Sequence, residues 1–176
     1  RLWDAQIAGQ RPGFANARIG DITGGPVIVG DHIFTGSSSG RTVALNLANG
    51  ERFWTAKDGP LNRVWPAGNS IFMVTDRNEL VRINSDNGRR IWGNTLAFFK
   101  SEKPKRQARI IAHHGPVIAG GQLIVASDDG FVHFYDPVTG VEAGTVDLPG
   151  GASSNPVVAG GTLYVVSSKG QLHAFR

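Results

Sequence analysis

His113-His114 and Asp128-Asp129-Gly130 are the two places where side chains of this sequence invite a metal reading. Neither spacing suits one. Neighbouring residues on a strand point to opposite faces, so an adjacent histidine pair chelates poorly. The Asp-Asp-Gly segment lacks the alternating oxygen ligands and the terminal Glu of a calcium loop, and reads as a hairpin turn. His133 and His173 stand 40 residues apart in equivalent positions, which points to a repeated packing role. The absence of cysteine excludes disulfides, thiolate ligands and thiol catalysis. No nucleophile, base and acid form a set, and no phosphate-cradling glycine loop is present. No enzymatic activity, metal or cofactor is therefore expected.

Residues suited to binding are easier to find. Lys100, Lys103, Lys105, Arg106 and Arg109 crowd one stretch that holds a single acid, Glu102. Such a run suits lipid phosphates, nucleic-acid phosphates or an acidic partner, or is a solvated loop. Aromatic residues stand only at its start, as Phe98 and Phe99, so base stacking has no support and no nucleic-acid partner is expected. Arg18 and Asp21 precede an apolar run, in a loop that either meets a partner or holds a local ion pair. Trp3, Trp54 and Trp92 recur at one position of a repeat and read as structural plugs, whereas Trp65 lies outside the pattern.

These residues must be positioned by a repeating scaffold. Pro26, Pro66, Pro116 and Pro156 each open an apolar run closed by a Gly-containing turn, at intervals of 40, 50 and 40 residues. The long interval contains the basic insert, 98–109. Each unit continues with a short alternating segment and a further turn ending in Gly. Gly50 and Gly88 are followed four residues later by Trp54 and Trp92, while Gly140 is followed by Gly144. Glycine pairs of this kind supply the positive φ of tight hairpins, giving four short antiparallel strands per repeat. The continuous apolar run is expected to be a first strand buried on both faces. A single such sheet cannot cover its own faces, whereas blades packed radially can.

The sequence therefore predicts an all-β fold, a β-propeller of four-stranded antiparallel blades with about four blades present. Residues 1–19 are expected to end a preceding blade and connect onward, with Leu2-Trp3-Asp4-Ala5 as its closing strand. Blades are expected at 20–57, 58–112 and 113–149, with a partial last blade at 150–176. The 176 residues, 40% hydrophobic and 18% charged, suit a globular chain. No apolar run reaches the length of a membrane-spanning helix. The chain opens on Arg1 with no signal peptide, and is expected to be part of a longer product.

Ala44-x-Asn46-x-x-x-Gly50-x-x-x-Trp54 and Arg82-x-Asn84-x-x-x-Gly88-x-x-x-Trp92 resemble the tryptophan-docking repeat of pyrroloquinoline-quinone-type propellers. A narrower resemblance runs along nearly the whole chain. Arg18 to Val29, Ala44 to Gly50, Asp76 to Arg82, Ala126 to His133 and Gly170 to Arg176 are similar to the C-terminal half of the BamB family. That family comprises propeller lipoproteins of outer-membrane β-barrel assembly. The resemblance implies half of an eight-bladed ring and a non-catalytic scaffold. It further implies a place on the periplasmic face of the outer membrane of a Gram-negative bacterium. The partner implied is the periplasmic part of BamA, met in part through Arg18 and Asp21. Thr23 stands where the family usually has a second Asp. Membrane association is implied only through a lipid anchor absent from this chain. Two copies completing one ring, a fragment, and a closed four-blade ring all remain open. The docking repeat is shared with quinone-dependent dehydrogenases, and a ligand- or polysaccharide-binding propeller is the other alternative.

Overall fold

The computed structural model describes residues 1–9, 24–101, 103, 107 and 109–176. The described residues contain strands and turns and no helix. The chain divides into two compact units, Arg1–Asn94 and Thr95–Arg176.

In the first unit, β1 (Gly24–Val29), β2 (His32–Ser37), β3 (Arg41–Asn46) and β4 (Arg52–Ala56) form one antiparallel meander. A second meander comprises β5 (Trp65–Ala67), β6 (Ser70–Val74), β7 (Glu79–Asn84) and β8 (Arg90–Thr95). The second unit contains β9 (His113–Ala119), β10 (Gln122–Ser127), β11 (Phe131–Tyr135) and β12 (Glu142–Asp147) in the same order. Its other sheet has three strands, β13 (Val157–Ala159), β14 (Thr162–Val166) and β15 (Leu172–Phe175). Each sheet begins with a two-residue hairpin. Val29 pairs with His32 around Gly30-Asp31, and Ala119 with Gln122 around Gly120-Gly121. Gly30, Gly120 and Gly121 have φ of 60°, 58° and 76°, the left-handed backbone that such turns need.

The sheets use both faces, as blades do. Alternation on β2 and β3 sends Phe34 and Ala44 to one side and Ile33, Val43 and Leu45 to the other. On the first side, Phe34, Ala44, Trp54 and Ala56 join Ile71, Met73, Val81 and Ile83 of the next sheet in one buried cluster. On the second side, Trp3, Ala5 and Ile7 cover Ile33, Val43 and Leu45. In the second unit Val117, Ile124, Ala126 and Val132 pack with Leu148, Ala152, Leu163 and Val165. Consecutive four-stranded meanders joined face to face in this way are blades of a β-propeller.

The first strands depart from expectation. They are not generally buried on both faces. Ile28 and Val29 of β1 are exposed, as are Val157 and Val158 of β13, and only β9 is largely buried. Burial belongs to the second strands: every residue of β6 is buried, as are five of six in β2 and β10. The reason is topological. A first strand sits at the edge of its meander, with one hydrogen-bonded neighbour, whereas the second is flanked on both sides. Residues Leu2 to Ala5, expected as the closing strand of a preceding blade, pair with no strand among the described residues, and Trp3, Ala5 and Ile7 cover one face of the first sheet by side-chain alternation.

Candidate functional site

Three turns share one construction. Asn46 and Asn84 end third strands, Asp136 directly follows one, and each side chain caps the turn that follows. Asn46 Oδ1 accepts from Ala48 N at 2.8 Å and Asn84 Oδ1 from Asp86 N at 2.9 Å. Asp136 Oδ1 accepts from Val138 N at 2.8 Å and Thr139 N at 2.7 Å. The amides of Gly50, Gly88 and Gly140 then close the turn onto the carbonyls of the same three residues, at 2.9, 2.9 and 2.8 Å. These are side-chain mimics of a backbone turn.

Two of the turns receive an indole from elsewhere in the chain. Trp54 Nε1 donates to Ser85 O at 2.8 Å, and its ring lies against Gly88. Trp3 Nε1 donates to Leu47 O at 3.1 Å, and its ring lies against Gly50. The glycine is required twice, by a left-handed φ and by the ring above it. Trp92, on β8, is half-buried 6.0 Å from the ring of Phe72. Trp65 is partly exposed on β5.

Polar networks fix the rims of the sheets. Buried Asp58 pairs with Arg90 and, at 3.6 Å, with Arg77, while Glu79 pairs with both arginines at 3.1–3.2 Å. The hydrogen bonds that Arg90 donates to Glu79, with those to the nearby Asp58 carboxylate, outweigh partial burial and raise the pKa of the Arg90 guanidinium. Burial pushes His113 down; its Nδ1 lies 2.6 Å from Ser127 Oγ and its Nε2 2.8 Å from Ala97 O. Burial also opposes charge on His133, but Asp129 at 3.0 Å and Glu142 at 2.7 Å outweigh it and raise its pKa. His133 and His173 stack on Tyr135 and Phe175, two residues along, at interplanar angles of 20° and 15°. Among the described residues, no group of His, Asp and Glu is arranged to hold a metal ion.

The insert between β8 and β9 is an ordered excursion at its base. Phe99 bridges Ile110 in antiparallel fashion, Lys100 N donates to Arg109 O at 3.0 Å, and Ile111 N to Phe98 O at 2.9 Å. Lys100 is anchored inward: its Nζ lies 2.8 Å from Asp128 Oδ2 and donates to Asp128 O at 2.9 Å. Asp128 Oδ1 also accepts from Ala112 N at 2.9 Å. Lys103 and Arg109 are exposed, as are Phe98 and Ile110. Lys105, Arg106, Arg18 and Asp21 lie outside the described residues. Sequence reasoning grouped Lys100 with the other cations and treated Asp128 only as a turn residue. Their pairing spans 28 positions and leaves no local signal.

The model of the outer membrane protein assembly factor BamB family matches residues 1–94 and 97–176. The BamB of Shewanella oneidensis is 29% identical over 146 residues, covering 83% of this chain and 34% of the relative. The crystal structure of BamB from Moraxella catarrhalis superposes with a TM-score of 0.68 at 22% identity, over 88% of this chain and 46% of that one. A quinohemoprotein alcohol dehydrogenase from Pseudomonas putida reaches 0.66 at 16% identity, over 93% and 29%. At these identities the structural likenesses speak for the fold alone. The chain spans about a third of the length of the curated relatives it matches. With the family model matching along almost its whole length, and with strands, docking turns and indoles arranged as described, this chain belongs to the outer membrane protein assembly factor BamB family.

Proposed function

We propose that this chain is a non-catalytic protein-binding scaffold of outer-membrane β-barrel assembly, acting on the periplasmic face of the outer membrane of a Gram-negative bacterium. It supplies about half of an eight-bladed ring and contacts the periplasmic domains of BamA, with Arg18 and Asp21 among the contacting residues. A lipid anchor outside this chain holds the assembly at the membrane. The family match along nearly the whole chain carries this reading. The geometry supports it physically: indoles seated on glycine turns stiffen the blades, and a stiff scaffold presents loops at low entropic cost. The dehydrogenase alternative has only a shared fold behind it.

The test is direct binding of the purified chain to purified BamA periplasmic domains by biolayer interferometry. Saturable binding is expected, weakened about tenfold when a charge-assisted pair is lost in R18E or D21K. Absence of binding in matched chains of one organism would sink the BamA assignment. Binding unchanged in both variants would remove Arg18 and Asp21 from the contact.

A further inference from the structure

The sequence holds two Asn-Gly pairs, Asn49-Gly50 and Asn87-Gly88, and the fold sets both in docking turns with the asparagines exposed. An asparagine before glycine loses its side-chain amide readily, because the glycine has no side chain to shield its nitrogen from the neighbouring amide carbon. The two turns are built alike. Asn49 Oδ1 accepts from Glu51 N and Asn87 Oδ1 from Arg89 N, both at 2.9 Å. Gly50 N donates to Asn46 O and Gly88 N to Asn84 O, again at 2.9 Å. The indoles seated on these glycines differ in how they are held. Trp54 stands on β4, is 8% exposed and belongs to a buried cluster. Trp3 is half-buried on a segment that pairs with no strand among the described residues, and its hydrogen bond is longer, 3.1 Å against 2.8 Å. Thr139 stands at the equivalent place in the third turn, and its Oγ1 accepts from Val141 N at 3.3 Å. The turn therefore uses an oxygen at that place and has no need of an amide.

We propose that Asn49 is a site of spontaneous deamidation gated by the seating of Trp3, and that Trp54 protects Asn87 from the same reaction. The only co-reactant is water. Gly50 N gives its proton to solvent base and attacks Asn49 Cγ. A C–N bond forms, and the side-chain nitrogen takes up a proton and leaves as ammonia. Water then opens the cyclic imide at either carbonyl, leaving aspartate or isoaspartate. In the seated turn this attack is closed, because Gly50 N–H is given to Asn46 O and Asn49 Oδ1 is held by Glu51 N. The reaction therefore proceeds from the opened turn, and its rate follows the opened population. Opening at Gly50 releases a half-buried indole, whereas opening at Gly88 draws Trp54 out of a cluster shared with Ile71, Met73, Val81 and Ile83. Aspartate keeps the oxygen that the turn uses. Isoaspartate lengthens the backbone by a methylene just before Gly50, whose amide must reach Asn46 O, and so unseats Trp3. The inference is independent of any partner of the chain.

The experiment is peptide mapping by mass spectrometry of the full chain aged in mildly alkaline buffer, with isoaspartate counted by enzymatic methylation of its carboxylate. Acid at residue 49 should accumulate at least about tenfold faster than at residue 87, the deeper burial of Trp54 making its turn the rarer to open. Trp3→Ala should raise the rate at Asn49 at least about fivefold, as loss of one net hydrogen bond of seating requires, and leave the rate at Asn87 unchanged. Trp3→Phe, which keeps a ring without the N–H, should fall between the parent and Trp3→Ala. In urea the two sites should react alike, since both precede glycine and neither turn survives. Asn49→Asp should keep the urea midpoint of the parent, while chains enriched in isoaspartate should exchange the Gly50 amide faster. Equal rates at 49 and 87 in the folded chain, or a faster rate at 87, would overturn the proposal. So would an Asn49 rate unmoved by Trp3→Ala, or an intact Asn49 after the urea-unfolded chain has fully converted.

Discussion

Gly88→Ala separates the two constraints that act on a docking turn. Gly88 has φ of 70°, and a methyl placed on it would stand 2.6 Å from Trp54 Cε3 and 2.9 Å from Cδ2. The backbone alone costs a non-glycine residue about 1–2 kcal/mol in this region. The overlap adds a second cost, because the contacted atoms belong to a fused ring in a buried cluster and cannot swing aside like a lysine tip. Moving the indole gives up its hydrogen bond to Ser85 O, about 1 kcal/mol, and part of the ~3–5 kcal/mol that a buried Trp contributes. The expected total is about 3–5 kcal/mol. Gly68, in the same unit, is the control: its φ is 54° and nothing lies within 4 Å of the added methyl. Gly68→Ala should cost only the backbone share, about 1–2 kcal/mol. Urea unfolding followed by circular dichroism gives each value. In a Trp54→Ala background the penalty of Gly88→Ala should shrink to that of Gly68→Ala, a coupling of about 1–3 kcal/mol. Equal penalties at Gly88 and Gly68 in the parent chain, or no shrinkage without the indole, would refute the docking argument.

Two further outcomes follow from the polar contacts. His133 has its pKa raised because Asp129 and Glu142 outweigh burial, so its stabilisation is complete below the unfolded value of about 6.5 and is lost as pH rises through the folded value. The stability difference between the parent and His133→Gln should therefore shrink from mildly acidic to alkaline pH; a difference that grows instead would reverse the assignment. His113, lowered chiefly by burial, contributes in the opposite sense, and the part of its lowering that comes from the His133 charge is relieved in His133→Gln. Asp128→Ala removes the anchor of Lys100 and the cap on Ala112 N, so the amides of Lys100, Ile111 and Ala112 should exchange at least ~tenfold faster, as loss of a charge-assisted bond of ~1.5 kcal/mol requires. Unchanged exchange there would show that the base of the insert is held by its ladder alone.

The blade architecture was legible because it is written in local signals. Glycine pairs flanked by apolar runs give two-residue hairpins, and a period of 40 gives the repeat. Which strand is buried was not legible. Pro26-Val27-Ile28-Val29 is as apolar as Ile71-Phe72-Met73-Val74, yet the first lies at a sheet edge and the second is flanked on both sides. Composition records apolarity, while exposure depends on what covers an edge. The partner of an indole was equally hidden. Trp54 stands four residues after Gly50 in the sequence, but it seats on Gly88, and Gly50 receives Trp3. The spacing marks a repeat unit, and the contact joins one unit to the next, so a single copy cannot show it. The insert's cations were visible as a run, but their division into an anchor and exposed charges required Asp128, which arrives from another hairpin.

That division also explains how ten additional residues fit between two repeats without disturbing either. Loop-closure entropy grows only logarithmically with length, so an excursion is inexpensive provided its ends are already held together. Here they are held three times: His113 Nε2 meets Ala97 O at 2.8 Å, Ile111 N donates to Phe98 O at 2.9 Å, and Lys100 N to Arg109 O at 3.0 Å. The ladder then pairs Lys100 with Arg109. Replacing residues 101–108 by Asn-Gly, the two-residue turn that suits an antiparallel pair, should leave the unfolding free energy within about 1 kcal/mol of the parent. A loss of several kcal/mol would mean that the clamps at Ala97 and Phe98 do not suffice to isolate the segment.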